Sequence, residues 1–472
     1  MAFDTMLQHN FRRPFVLLFL LVCAATAPAA VSVQAEFAAA AEQLTLRYCR
    51  PADAAGTPLR LRAPEAAAAR WLTQTEPPAT ARRGRTLQWH SAPACVVLRF
   101  PLGQIADRNT GDIGFRAGEA LLSWAWTWWY QPEGQRRTRL RFELPAGWHF
   151  SAPWPRCAAQ DGAACYLLGD TPWHWPALTA LGREAEHVDR IAGGRIHGLV
   201  VGRVPAAARA RLEALPRQAG ALISAAYGRL PVPDLQLLVI PVQSRGHGEA
   251  VLFGQVNRGG LGGVHLLVDA QGSAAAFEEN WVLPHELAHL LHPYLGDQRG
   301  RWLSEGLASY YQNLLRSRTG RMPASQAWER LFAGFDRGRA QVNSQTLDEI
   351  ASTMSRSRAY MRVYWSGAAF WFKVDVALRQ RGHPGLDRLL DDFGRQHLPA
   401  TRTWPPERFL AELDRPLDTP LLVPLAEQIG GDANFPDVGA EIAALGLRWI
   451  DAQVHLLPAQ DSTLRAAIAG AE

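Results

Sequence analysis

Two periodicities divide the chain. Between about residues 40 and 180, apolar and polar residues alternate in "LTLRY" (44–48), "CVVLRF" (95–100), "LLSWAWTWWY" (121–130) and "TRLRFEL" (138–144), with proline- and glycine-bearing turns between them. Successive side chains of a strand face opposite ways, so this pattern predicts an antiparallel, sandwich-like β domain. Trp124, Trp126 and Trp128 alternate as well, and on a strand all three point to one face, where a sandwich core buries them. From about 190 to 272 the pattern is mixed: a helical run from Pro205 to Gly228, a strand at 235–240, and the glycine-rich "FGQVNRGGLGGVHLLVD" at 253–269. Beyond 273 a helical period dominates, and the proline-rich "LPATRTWPPERF" (398–409) marks a joint before a last helical piece.

These patterns predict a multidomain α+β chain: a β domain over 36–185, a domain of mixed sheet plus helices over 186–400, and a C-terminal helical segment, 401–472, packed on the latter. A length of 472 residues with 48% hydrophobic content is consistent with several folded domains. The net charge of +5 is small for this length and no run of five like charges occurs, which argues against a nucleic-acid partner. Lys373 is the only lysine, so the positive charge is almost entirely arginine.

Arg12 and Arg13, the apolar run from Phe15 to Cys23 and the small residues that follow have the layout of a secretory signal peptide over 1–35, with cleavage after Ala29 or Ala35. A membrane tether is the less favoured alternative. No other segment is apolar and long enough to span a bilayer, so the expected location is the periplasm or the exterior. The remaining cysteines then predict two disulfides, and Cys157 with Cys165, Cys49 with Cys95 is the preferred pairing.

The chemistry lies in "WVLPHELAHLLHPYLGDQRGRWLSEGLASYYQ" (281–312). His285 and His289, four apart on a helix, are rotated by about 40° and separated by about 6 Å, so both imidazoles reach one point with Glu286 beside them. A random chain of this composition holds such an H-E-x-x-H pattern about 0.04 times. One zinc ion suits that point, with Glu305 of the following helix as third ligand, a place left for water and Glu286 as base. Pro293 ends the first helix, and His292 is expected to pack beside it. An oxyanion donor is offered by Tyr360 or Tyr364. The glycine-rich segment at Gly259, Gly260, Leu261 and Gly262 reads as a substrate-binding edge strand or a flexible loop.

"HELAH", "WLSEGLASYY", "YWSGAAFWFKVDVALRQ" and "GLDRLLDDF" together resemble the glycyl aminopeptidase family of gluzincin metallopeptidases, over roughly residues 95–450. The resemblance implies a thermolysin-like catalytic domain, a peptide or protein substrate, zinc on His285, His289 and Glu305, Glu286 as base, and Tyr364 as oxyanion donor. One departure bears on the substrate's amino end. The family's G-G-L-E-H segment, whose glutamate is associated with the substrate's amino end, is replaced here by "GGLGG", with Gly262 in the glutamate's position. Two other functions share these residues: a catalytically silent peptide-binding protein, and a zinc hydrolase of a non-peptide amide or ester.

Overall fold

The computed structural model describes residues 30–158, 163–243, 248–296, 298–457 and 463–470. Residues 1–29, most of the segment expected to be a signal peptide, lie outside it, as does most of the turn between Cys157 and Cys165.

Alternation in the N-terminal part does produce strands. Ser32–Ala38, Gln43–Cys49 and Cys95–Pro101 pair antiparallel within a six-stranded sheet, and Leu44, Leu46 and Tyr48 turn into a core with Trp89, Trp129 and Phe142. Disulfides join Cys49 to Cys95, which face each other across two strands, and Cys157 to Cys165. Two four-stranded sheets complete this part. Three expectations need correction. The six-stranded sheet is mixed, because Ser32–Ala38 runs parallel to Thr138–Glu143. That same strand crosses the boundary placed at residue 35, with Val33 and Ala35 fully packed in the core. The tryptophan ladder does not form: the strand stops at Trp124 and a 3-10 turn, Ala125–Thr127, redirects the chain. Three residues per turn replace two, so Trp126 stacks on Trp124 at 4.9 Å while Trp128 enters the β-domain core.

The second half is built on a five-stranded sheet. Gly194–Val200, Asp234–Val242 and Gly263–Asp269 lie parallel in its middle, and their continuous apolar runs are buried on both faces. His187–Ile191 and Val251–Asn257 close the two edges antiparallel. Helices Ala206–Tyr227, Val282–Ala288, Gly300–Arg318 and Tyr360–Gln380 share one large core with this sheet. Trp404, Phe409, Leu422 and Ile468 belong to the same core, which ties the C-terminal segment to it. That segment is not purely helical: Leu447–Ile450 and Gln453–Leu456 form a hairpin. Among the described residues no helix is long and apolar enough to cross a membrane.

The decisive packing for the site is a contact between two helices. Gly306 of Gly300–Arg318 lies against Gly367 of Tyr360–Gln380 so closely that a Cβ on Gly306 would sit 2.3 Å from the Gly367 carbonyl carbon. Farther along, the Tyr310 hydroxyl donates to Asp375 at 2.8 Å and the Tyr311 hydroxyl to Asp387 at 2.6 Å. These bonds lock the two helices to each other and to Leu386–His397.

Candidate metal centre

The first ligand helix, Val282–Ala288, is short and fully buried; His289 continues it as a single 3-10 turn before Pro293. The chain then reverses and enters Gly300–Arg318, which presents Glu305 to the two imidazoles. His285 Nε2 lies 3.2 Å and His289 Nε2 3.6 Å from the same Glu305 carboxylate oxygen, and one ligand atom from each of the three residues lies within 4.8 Å of the others. Zinc bonds of about 2.0–2.2 Å in a tetrahedron place neighbouring donor atoms about 3.3–3.5 Å apart, so the three residues fit zinc.

The outer nitrogens are held as well. His285 Nδ1 lies 3.0 Å from Gln312 Oε1, which fixes that nitrogen as the donor and leaves Nε2 facing the cluster. His292 Nδ1 donates to the Pro293 carbonyl at 2.7 Å, so its Nε2 is free to accept from His289 Nδ1 at 3.4 Å, and Ser304 Oγ lies 3.2 Å from both rings. His292 therefore does pack beside Pro293, but it also orients the His289 ring. Arg258 secures the turn by donating to the His289 and His292 carbonyl oxygens at 2.7 and 3.0 Å. Gln312, Ser304 and Arg258 were not singled out in the sequence. Gln312 had a signal, since it lies two helical turns beyond Glu305 on the same face; Arg258 stands just past the end of the strand Val251–Asn257, far from the motif in sequence, and had none.

The charges suit a cation. Burial alone would raise the Glu305 carboxyl, but the facing imidazoles of His289 and His285 reverse this and hold it well below the usual range. Burial opposes protonation of His285, yet Glu305 and Glu286 raise its pKa overall. Glu286 differs: burial lifts its carboxyl, and the two histidines only partly offset that. His292 stays neutral, pushed well down by burial and then by Arg258 and His289. Burial lowers Arg258 to about 10, still charged at neutral pH.

A cavity of about 630 Å³ opens over the three residues. The edge strand lines it through Phe253, Gly254, Gln255 and Val256, and its outer edge pairs with no strand among the described residues. Gly254 lets this strand approach closely, since a Cβ there would lie 2.7 Å from Glu286 Cγ. The β domain contributes Trp175, whose ring packs edge-on against Tyr294 at 5.5 Å. Tyr364 lines the cavity and stacks on His285 at 6.0 Å, its hydroxyl facing Glu305; Tyr360 is 39% exposed and is not part of this wall. The four residues 259–262 are placed elsewhere. They turn the chain between Val251–Asn257 and Gly263–Asp269, with Gly259 N–H bonded to the Pro176 carbonyl and Leu261 N–H to that of Pro153, and they do not line the cavity. A Cβ on Gly260 would meet the Pro153 carbonyl oxygen at 2.2 Å, so these glycines serve contact with the β domain. Of the two readings of 259–262, edge strand or loop, the structure has the loop, and it is 253–256 of the edge strand that line the cavity.

The sequence matches no family model and no curated protein. The fold does have solved counterparts. An aminopeptidase N family protein from Idiomarina loihiensis superposes with a TM-score of 0.63 at 12% identity, covering 88% of this chain and 78% of that one. A variant of an M1 zinc metallopeptidase from Deinococcus radiodurans gives 0.51 at 13% identity, over 87% of this chain and 95% of that one. The same enzyme bound to a Tyr-Ser-Ala substrate gives 0.51 at 14% identity over the same shares. These likenesses agree, at the level of fold, with the gluzincin resemblance carried by the motifs. The chain has the multidomain α+β fold of the M1 aminopeptidase-type zinc metallopeptidases.

Proposed function

We propose that this chain is an exported zinc-dependent peptidase, with a thermolysin-like gluzincin catalytic domain and one zinc held by His285, His289 and Glu305. The observation that carries the reading is the convergence of those three ligand atoms within 4.8 Å in a cavity where Glu286 and Tyr364 also stand. Bound zinc supplies Lewis acidity, polarising the scissile carbonyl and drawing the pKa of a water toward 7. Glu286, raised by burial, takes the water's proton and delivers it to the leaving amine. Tyr364, raised above the usual phenol range by burial and by Glu305, keeps its proton and donates a hydrogen bond to the developing oxyanion. The outer edge of Val251–Asn257 is offered to the substrate backbone, as an added strand.

The reading extends to internal peptide bonds. Among the described residues that line the cavity the only carboxylates are Glu286 and Glu305, both already used, and the other charged groups include Arg258 and Arg301. A free α-ammonium group finds no anion there. The leader-like N-terminus and the disulfides Cys49–Cys95 and Cys157–Cys165 support export.

The test compares zinc-loaded wild type and Glu286→Gln on a peptide library with free and with blocked amino termini. We expect blocked and free peptides to be cut alike, and the variant to lose about 10²–10⁴-fold in kcat/KM. Equal cleavage by both proteins refutes the glutamate's role. Binding without cleavage by wild type identifies a silent peptide-binding protein, and a strict demand for a free amino terminus contradicts the internal-bond reading.

A further inference from the structure

One of the two four-stranded sheets in the β domain presents arginine to solvent. Its strands lie in the order Gln131–Pro132, Leu59–Arg62, Thr86–Trp89 and Ala81–Arg83. Leu59, Leu61, Leu87 and Trp89 turn inward to the core shared with the six-stranded sheet, so the residues alternating with them face out. The register then sets Gln131, Arg62, Thr86 and Arg83 side by side across all four strands, with Arg60 and Gln88 in the next row. Arg82 and Arg85, in the adjoining hairpin, donate to the Ala69 and Pro64 carbonyls, and Arg70 is exposed beside them.

Charge on this face is one-sided. Between Leu59 and Trp89 the chain carries six arginines and two carboxylates, Glu65 and Glu76, and Glu76 is paired with Arg99 of the six-stranded sheet. Among the described residues only Arg60 of the six makes an ion pair, with Glu133 at 3.5 Å, and both side chains are about half exposed. So exposed a pair leaves much of the charge to solvent. Arg62 and Arg83 stand two strand spacings apart, about 10 Å, and do not converge on one small anion. Guanidinium groups spread in this way suit a plane of phosphates.

A second observation says which plane. The leader-like apolar run, Phe15 to Cys23, joins the domain at Val31. There the Gln135 side chain brackets the backbone: Val31 N–H donates to its Oε1 at 2.7 Å, and its Nε2 donates to the Val31 carbonyl at 2.8 Å. Gln131, at the end of the arginine row, donates in turn to the Gln135 carbonyl. Residues 24–30 span at most about 25 Å, so an apolar run lodged in the bilayer during export holds this corner of the sheet near the bilayer surface.

We propose that the arginine face is a membrane-docking surface, resting on anionic phospholipid headgroups without crossing the bilayer. It uses the export part of the reading above and none of the catalytic chemistry, so vesicle binding and peptide hydrolysis fail separately.

Mature protein starting at Ala30, so that the apolar run contributes nothing, is sedimented with vesicles of equal parts phosphatidylcholine and phosphatidylglycerol, and with pure phosphatidylcholine vesicles. Wild type binds the anionic vesicles at low salt, leaves them at about 1 M salt, where the screening length is about 3 Å, and ignores the neutral ones. Arg62→Gln/Arg83→Gln weakens that binding about 25-fold, or about fivefold for each charge near the surface. Both side chains are exposed, so hydrolysis of a short soluble peptide and the unfolding midpoint stay as in wild type. Arg47→Gln/Arg139→Gln removes the same charge from the exposed face of the six-stranded sheet and changes binding by less than about threefold. Equal binding to both kinds of vesicle, or a loss no larger in the Arg62/Arg83 variant than in the Arg47/Arg139 variant, overturns the docking surface. Binding of a short DNA duplex without binding of the vesicles assigns the face to a soluble polyanion and overturns it as well.

Discussion

Adding one methyl group at Gly306 separates the account from one in which the helices merely support a fold. A Cβ on Gly306 would lie 2.3 and 2.4 Å from the carbonyl carbon and Cα of Gly367, and one on Gly367 would lie 1.9 Å from the Trp302 carbonyl oxygen. All these neighbours are backbone, so no side chain can rotate away. Restoring ordinary carbon–carbon contact at about 3.5 Å requires the helices to part by roughly 1 Å. Glu305 adjoins Gly306, and Tyr364 lies three residues before Gly367, so that opening falls directly on the proposed third ligand and the proposed oxyanion donor. Ligand spacings of 3.2 and 3.6 Å do not tolerate such a shift. Gly306→Ala should lose about 1–3 kcal/mol of stability from overpacking. It should also lose about 10²-fold in kcat/KM, the usual result of a misplacement of about 1 Å. Urea unfolding and peptide hydrolysis measure these two effects, and competition with a chelator measures the weaker zinc binding that a displaced Glu305 entails. Gly198→Ala is the control: its Cβ would strike Pro216 Cγ at 2.3 Å where the sheet packs on the helix Ala206–Tyr227, so it should cost stability but not zinc affinity in the folded protein. Gly306→Ala with zinc affinity and kcat/KM both near wild type refutes the reasoning.

Other perturbations act on the site and on its scaffold. Gln312→Ala or His292→Ala frees the outer nitrogen of one ligand and should weaken zinc binding by about 10–100-fold, with an unchanged affinity in both arguing against their orienting role. Stripping the metal removes a ligand of the native state alone, so zinc at about 100 times its Kd should raise stability by about 2.7 kcal/mol over the stripped protein in urea titrations; coincident curves contradict a built site. Burial would raise Asp234, but hydrogen bonds from Arg195 and His197 hold its carboxyl below the usual value. The unfolded chain then binds the extra proton first, so this stability is present above about pH 4 and is lost as pH falls through the depressed folded value. Asp234→Asn should flatten that acid loss relative to wild type, and identical pH profiles would exclude the linkage.

The site was legible where one local period fixed the geometry. Four-residue spacing in one helix sets His285 beside His289, and a single reversal after Pro293 returns Glu305, so the ligand set follows from local rules. Long-range placement was not legible. "VSVQA" (31–35) reads as the tail of a leader by composition, yet alternate burial makes it part of the strand Ser32–Ala38, in a sheet whose partners come from 43–49 and 138–143. The glycines at 259–262 suggest close approach by another backbone, which occurs, but the partner is the β domain at Pro153 and Pro176. In the tail, the turn at Asp451 and Ala452, both with positive φ, makes a hairpin that helical periodicity concealed. The gluzincin resemblance pointed to Tyr364 over Tyr360, and Tyr364 is the one of the two whose ring stacks on His285.

X-ray absorption at the zinc edge, on mature protein loaded with one equivalent of zinc, tests the central assignment most directly. The account predicts full occupancy, two imidazole nitrogens and oxygen ligands at about 2.0–2.2 Å, no sulfur, and loss of the imidazole signal in a His285→Ala/His289→Ala protein. A protein that fails to retain the ion, or an imidazole shell that persists in the double variant, would contradict it.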